Sequence, residues 1–207
     1  MTNQDAERRW QRLGRLLEPI HDRAVETARN LCRSTGEGDD LYQEAVLRAF
    51  TKLHTLRDED RFRSWFFAVL LSIHRSRWRR AFWRRFLPLD AASSDTPEPA
   101  GEDGRRHAEE VLGARRAARA LARLPVEQRE AVVLYELEGF SMEEVAAMQD
   151  ATVAAVKSRV FRGRETLRRI YRQWGWDAPA PVAGATNAAG PKPLLQSEHT
   201  LPAGRRS

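Results

Sequence analysis

"SMEEVAAMQDATVAAVKSRV", residues 141–160, decides how this chain is read. Ser141 with Glu144 three residues on is the S-x-x-E capping box, which opens a helix by satisfying two orphan backbone donors. "QDAT" then breaks the apolar spacing, and Thr152 is placed to cap a second helix. Two helices joined by a turn of three or four residues form a helix-turn-helix. Val145, Met148, Val156 and Val160 offer the apolar faces that lock the pair together, and Ala146 is small where the two helices approach.

Reading outward, "LPVEQREAVVLYELEGF" (124–140) has the spacing of a helix that closes near Gly139. Beyond the turn, "VAAVKSRVFRGRETLRRIY" (153–171) is a long basic helix. Lys157, Arg159, Arg162, Arg164, Arg168, Arg169 and Arg172 stand against one acid, Glu165. Residues near the start of the second helix of such a motif enter the major groove, where Arg and Lys read guanine; residues further along meet phosphates. A solvated basic face on an ordinary helix is the plain alternative.

Towards the N-terminus, "DLYQEAVLRAFTKL" (40–53) places Tyr42, Val46, Ala49, Phe50 and Leu53 three or four apart. Asp40 with Gln43 is expected to form the capping box of this helix. "WFFAVLLSIHRSRWRRAFWRRF" (65–86) passes from almost wholly apolar to six arginines interleaved with Trp78, Phe82, Trp83 and Phe86. Its first half suits a core. Its second half does not, because that many guanidinium groups are not buried unpaired. Arginine with aromatic faces suits unpaired nucleic acid. A membrane-surface helix or a solvated face covering the core are the other readings.

"AASSDTPEPAGEDG" (91–104) holds Pro, Gly, Ser and four acids without a large apolar side chain, so it reads as a flexible linker. The expected organisation is all-α: a first domain over 1–88, a linker over 89–106, a helix-turn-helix domain over 107–176 and a disordered tail over 177–207. Strand signals are nearly absent.

The 207 residues carry 35 Lys and Arg against 29 Asp and Glu, a net charge of +6, which favours a polyanionic partner. A single cysteine, Cys32, rules out an internal disulfide framework and argues against a Cys-based zinc site. The five histidines lack ligand-like spacing. No Gly-rich phosphate loop, H-E-x-x-H or G-x-S-x-G occurs, so no catalytic activity, metal or cofactor is expected. The polar N-terminus and the short apolar runs lead to the expectation of a soluble, cytoplasmic protein.

Four blocks, in order, resemble the sigma-70 family of bacterial RNA polymerase initiation factors, and most of all its extracytoplasmic-function (ECF) group. "DDLYQEAVLRAFTKL" resembles region 2.2, "RFRSWFFAVLLSIHRSRWRR" regions 2.3 and 2.4, "LARLPVEQREAVVLYELEGFSMEEVAAM" region 4.1 with the first helix of the helix-turn-helix, and "VKSRVFRGRETLRR" the recognition helix. The resemblance implies a sigma factor that directs polymerase core to promoters through −35 and −10 contacts and helps melt the −10 region. It sets Asp40, Gln43, Glu44 and Arg48 against the β′ clamp helices of the polymerase. It assigns −10 DNA to Leu56, Arg57, Ser72, Arg75, Arg77, Trp78, Arg79 and Arg80, with the loop 54–60 as the pocket for a flipped base. Lys157, Ser158, Arg159, Phe161 and Arg162 would face the −35 element. The β flap and an anti-sigma factor are the further partners implied. Ser72, Leu71 and Leu56 depart from the family pattern, so the −10 preference does not carry over. Asp150 replaces the usual turn Gly, a position where Asp tolerates left-handed backbone better than most residues. A helix-turn-helix regulator acting without polymerase core, and a protein that sequesters polymerase or an anti-sigma partner, are the alternatives.

Overall fold

The computed structural model describes residues 3–84 and 105–175, so most of the expected linker and all of the expected tail lie outside the described residues. The described residues form helices joined by short turns, with no strand among them. The first unit comprises α1 (Asn3–Leu17), α2 (His21–Leu31), α3 (Thr35–Lys52) and α4 (Phe62–Arg84). The second comprises α5 (Arg105–Leu121), α6 (Val126–Val132), α7 (Met142–Gln149) and α8 (Val153–Gln173). A π-helical turn, Val133–Leu137, prolongs α6, and Gly139 with φ of +70° ends the segment, in agreement with the closure read from sequence.

The start of α3 departs from expectation. Asp40 lies inside the helix rather than at its cap. Ser34 is the N-cap, its hydroxyl accepting from the Glu37 amide at 3.2 Å, and Glu37 in turn accepts from the Arg33 amide at 3.2 Å. Two glycines, Gly36 and Gly38, hid this first turn from a propensity reading. Gly38 is there for closeness: a Cβ would lie 2.5 Å from the Arg29 Cα on α2.

The inner half of α4 supplies the first core. Phe62, Phe66, Phe67, Leu70, Leu71 and Ile73 are buried, among Leu13, Leu31, Leu41 and Ala45 from the other three helices. α1 is pinned to α3 by Trp10, stacked on Phe50 at 4.3 Å between ring centroids. In the second unit Val145, Val156 and Val160 are buried between α7 and α8 as their spacing requires, and Gly163 lets α8 close on Val132 of α6. The two units do not keep separate cores. The Phe67 and Phe140 rings meet edge to face at 5.1 Å, and one apolar cluster runs from Leu13 to Val160.

Candidate nucleic-acid interface

The helix-turn-helix is built by its caps. The Ser141 hydroxyl accepts from the Glu144 amide at 3.1 Å and the Glu144 carboxylate accepts from the Ser141 amide at 2.9 Å, the reciprocal box expected from sequence. Burial pushes the Glu144 carboxyl up, but its bonds to Ser141 and to the Ser64 hydroxyl outweigh this and hold it below the usual range. Asp150 takes the left-handed conformation, φ 48° and ψ 52°. The Thr152 hydroxyl then accepts from the Ala155 amide at 3.2 Å and starts α8.

With Val156 and Val160 turned inward, the helical period turns Lys157, Ser158, Phe161 and Arg162 outward, where they line one open hollow. Phe161 is 65% exposed, an apolar group among cations. Arg159 is set apart from this group. It donates to the Gln149 side chain at 2.8 Å and pairs with Glu127 at 2.8 Å, so it braces α8 against α6 and α7. Arg164 pairs with Glu136 and Arg168 with Glu165 further along.

The first unit divides its basic residues in the same way. Trp78, Arg79 and Arg80 are exposed on the outer part of α4, and Ser72 is exposed one to two turns earlier. Arg77 reaches back to α3, pairing with Glu44 at 2.8 Å and donating to the Asp40 carbonyl at 3.0 Å. Arg75 donates to Glu130 of the second unit at 2.9 and 3.0 Å and to the Met148 carbonyl at 3.2 Å. Leu56 is 8% exposed and faces the core, whereas Arg57 beside it is exposed. The side chains of Phe82, Trp83 and Phe86 lie outside the described residues.

On α3, Asp40, Gln43, Glu44 and Arg48 share one face, with Glu44 accepting from Arg48 at 3.3 Å. Leu47 stands on that face at 59% exposure. A lone leucine in a helix reads as core from sequence; only its offset from the stripe of Tyr42, Val46, Phe50 and Leu53 marks it as outward-facing. Cys32 is largely buried, which with nearby Glu37 pushes its thiol up to about 12. Among the described residues no cluster of His, Cys, Asp and Glu has the arrangement of a metal site, and no helix is long and apolar enough to cross a membrane.

Comparison with known proteins agrees with this geometry. Residues 16–84 match the family model for sigma-70 region 2, and residues 114–167 match that for sigma-70, region 4. The chain is 34% identical over 141 residues to the ECF RNA polymerase sigma factor EcfG of Rhodopseudomonas palustris, covering 68% of this chain and 75% of the relative. It is 31% identical over 150 residues to SigM of Mycobacterium tuberculosis, covering 72% of each. Among solved structures it is similar to CnrH in its complex with the cytosolic domain of CnrY, with a TM-score of 0.58, 26% identity, and coverage of 82% of this chain and 94% of that one. The fold of the sigma factor RpoE from Bartonella quintana, solved with the anti-sigma factor NepR, is similar at a TM-score of 0.57 and 23% identity, over 75% of this chain and 94% of that one. The two matched regions, in this order and on these two helical units, show that the chain belongs to the sigma-70 family, in its ECF group of RNA polymerase sigma factors.

Proposed function

We propose that this ECF sigma factor reads the −35 element with the first turns of α8 and the opened −10 strand with the outer part of α4. The observation that carries the reading is the hollow at the start of α8, where Lys157, Ser158, Phe161 and Arg162 converge while Val156 and Val160 anchor the helix behind them. Cations and a hydroxyl suit base edges and phosphates of the major groove, and an exposed Phe suits a thymine methyl. Trp78 has an exposed face suited to stacking on an unpaired base, with Arg79 and Arg80 beside it for phosphate. Arg159 serves this surface as a brace. Asp40, Gln43, Glu44 and Arg48, with Leu47 in their midst, form the face offered to the β′ clamp of the polymerase in the cytoplasm, and the second unit meets the β flap. The solved relatives held by CnrY and NepR support an anti-sigma factor as a further partner. The role is one of binding and melting, without catalysis, cofactor or metal.

The test is transcription with purified core polymerase on genomic fragments, followed by variants on the promoter so found. Arg162→Ala is expected to weaken duplex −35 binding by about 1–3 kcal/mol. Removing Arg79 and Arg80 is expected to lower permanganate reactivity of −10 thymines on a linear promoter, with rescue by a pre-melted bubble. Equal loss of duplex −35 binding in both variants would overturn the division between the two faces.

A further inference from the structure

The loop between α3 and α4 poses an electrostatic problem. Asp58, Glu59 and Asp60 follow one another in it, with Arg57 before them and Arg61 after. Two cations against three acids leave this stretch net acidic, and all five residues are exposed. Yet residues 54–60 are expected to receive an unpaired base of a polyanion. Exposed charges act on one another over about 10 Å at ~0.1 M salt, so a strand lying on the loop would feel every acid left unanswered.

The fold answers most of them. Leu56 (φ −74°, ψ 111°) and Asp58 (φ −137°, ψ 118°) have extended backbone, so side chains alternate: Leu56 turns into the core and Arg57 turns out. The Thr55 hydroxyl donates to the Lys52 carbonyl at 2.8 Å, which ties the start of the loop to the end of α3. Asp58 is spent locally. It accepts from the Asp60 amide at 3.0 Å as the cap of a short turn and lies 3.7 Å from Arg61. Glu59 is answered from a distant part of the chain: Arg12 of α1 donates to it at 2.7 Å. The Arg57 guanidinium is left uncommitted among the described residues.

The place of α1 does not depend on this pair. Leu13 and Leu17 are buried, and Trp10 stacks on Phe50, so apolar packing carries Arg12 to the loop. Arg12 also lies ahead of residues 16–84, the span that matches region 2. We propose that Arg12 is a positioning residue for the −10 strand: it holds the Glu59 carboxylate towards α1 and offsets its charge, so that Arg57 meets the strand without a competing acid beside it. Without Arg12, Glu59 turns to Arg57, two residues before it, or repels phosphate. Arg12 acts through Glu59 and does not itself touch the strand. The proposal deepens the reading of the −10 face and rests on the loop meeting that strand. An exposed ion pair contributes little to folding, so its effect belongs in binding.

The test is a double-mutant cycle. It reads the affinity of holoenzyme, at saturating core polymerase, for a fluorescent single strand carrying the non-template −10 sequence of the promoter found by transcription. Arg12→Ala should weaken binding about two- to fivefold, the range of an exposed charge, with the urea midpoint of the free chain unchanged. Glu59→Gln alone should bind as well as the parent or better, since it removes an acid from the path of the strand. Arg12→Ala combined with Glu59→Gln should return to the parental affinity. Arg8→Ala, which removes an exposed cation one turn earlier on α1, should bind like the parent. A double variant as weak as Arg12→Ala shows that Arg12 meets the strand directly and overturns the proposal. Glu59→Gln as weak as Arg12→Ala overturns it as well, because the pair is then a structural clip. Equal loss in Arg8→Ala does the same, since any cation on α1 would then serve. Arg57→Ala separates the proposal from the reading beneath it. Weaker strand binding in Arg57→Ala with parental binding in Arg12→Ala sinks the proposal alone; parental binding in Arg57→Ala shows that the strand does not cross the loop and sinks both.

Discussion

Arg77 shows how much one side chain's environment decides. In sequence it is one of a run of cations at the basic end of α4. In the fold it alone of Arg77, Arg79 and Arg80 is tied to α3, through Glu44 and the Asp40 carbonyl. Arg77→Ala is therefore expected to cost about 1–2 kcal/mol of stability, reduced from a fully buried charged hydrogen bond by its partial exposure. Arg79→Ala and Arg80→Ala should stay within about 0.5 kcal/mol, as exposed positions do. Urea midpoints of the three variants check this, and equal midpoints would remove Arg77 from its structural role. Gly38 offers a second contrast. Its Cβ would strike Arg29 backbone at 2.5 Å, whereas at Gly163 the nearest atom is a Val132 methyl at 2.6 Å. Backbone yields less than a methyl, so Gly38→Ala should destabilise by about 1–3 kcal/mol. Gly163→Ala should cost less, because the gain in helix propensity of about 1 kcal/mol offsets part of a softer clash.

At the scale of elements, the helix-turn-helix owes its precision to local chemistry. The capping box of α7, the left-handed Asp150 and the Thr152 cap of α8 follow one another within a dozen residues, and each was legible in the sequence because each depends on neighbours in the chain. Asp150→Gly is expected to stabilise the chain by about 1 kcal/mol, since Gly carries no penalty at positive φ. Thr152→Ala should destabilise by about 1 kcal/mol through the loss of one capped donor. Thermal melts of the pair check both signs; a loss of stability in Asp150→Gly would mean that the Asp side chain contributes more than its backbone strain costs. α3 was legible in its apolar stripe but not at its start, because Gly36 and Gly38 speak against a helix locally and only the approach of α2 explains Gly38.

At the scale of the whole molecule, the carboxylates at the boundary couple its integrity to pH. Burial alone pushes the Glu130 carboxyl up, yet the bond from His74 and the charge of Arg75 prevail and hold it below the usual carboxylate range, with Gln149 of its own unit as a further donor. Glu144 is held down as well. A group whose carboxyl is depressed on folding lends stability that is complete above the ordinary value and is lost as pH falls through the depressed one. Unfolding midpoints in urea should therefore decline on acidification below about 4.5, the ordinary value of such a group. The slope should be shallower in Glu130→Gln. A slope identical to that of the parent would show that this carboxylate ionises alike in the folded and unfolded chain.

By itself the sequence determined the helical class, the order of the two units, the caps and turn of the helix-turn-helix, and the residue types that α8 turns outward. These depend on spacing and on contacts within a few residues, which a linear reading contains. Tertiary structure decided which cations remain available. Arg159, Arg75 and Arg77 read like their neighbours in the chain, but Glu127 with Gln149, Glu130, and Glu44 claim them from other helices. It decided that Leu56 turns inward and Leu47 outward. It also joined the two units through Glu130 and Glu138, acids that in sequence are ordinary members of a helical pattern. Arg75 and Glu130 lie 55 positions apart, and no local rule of charge or period brings such a pair together; only the packing of α4 against the second unit does.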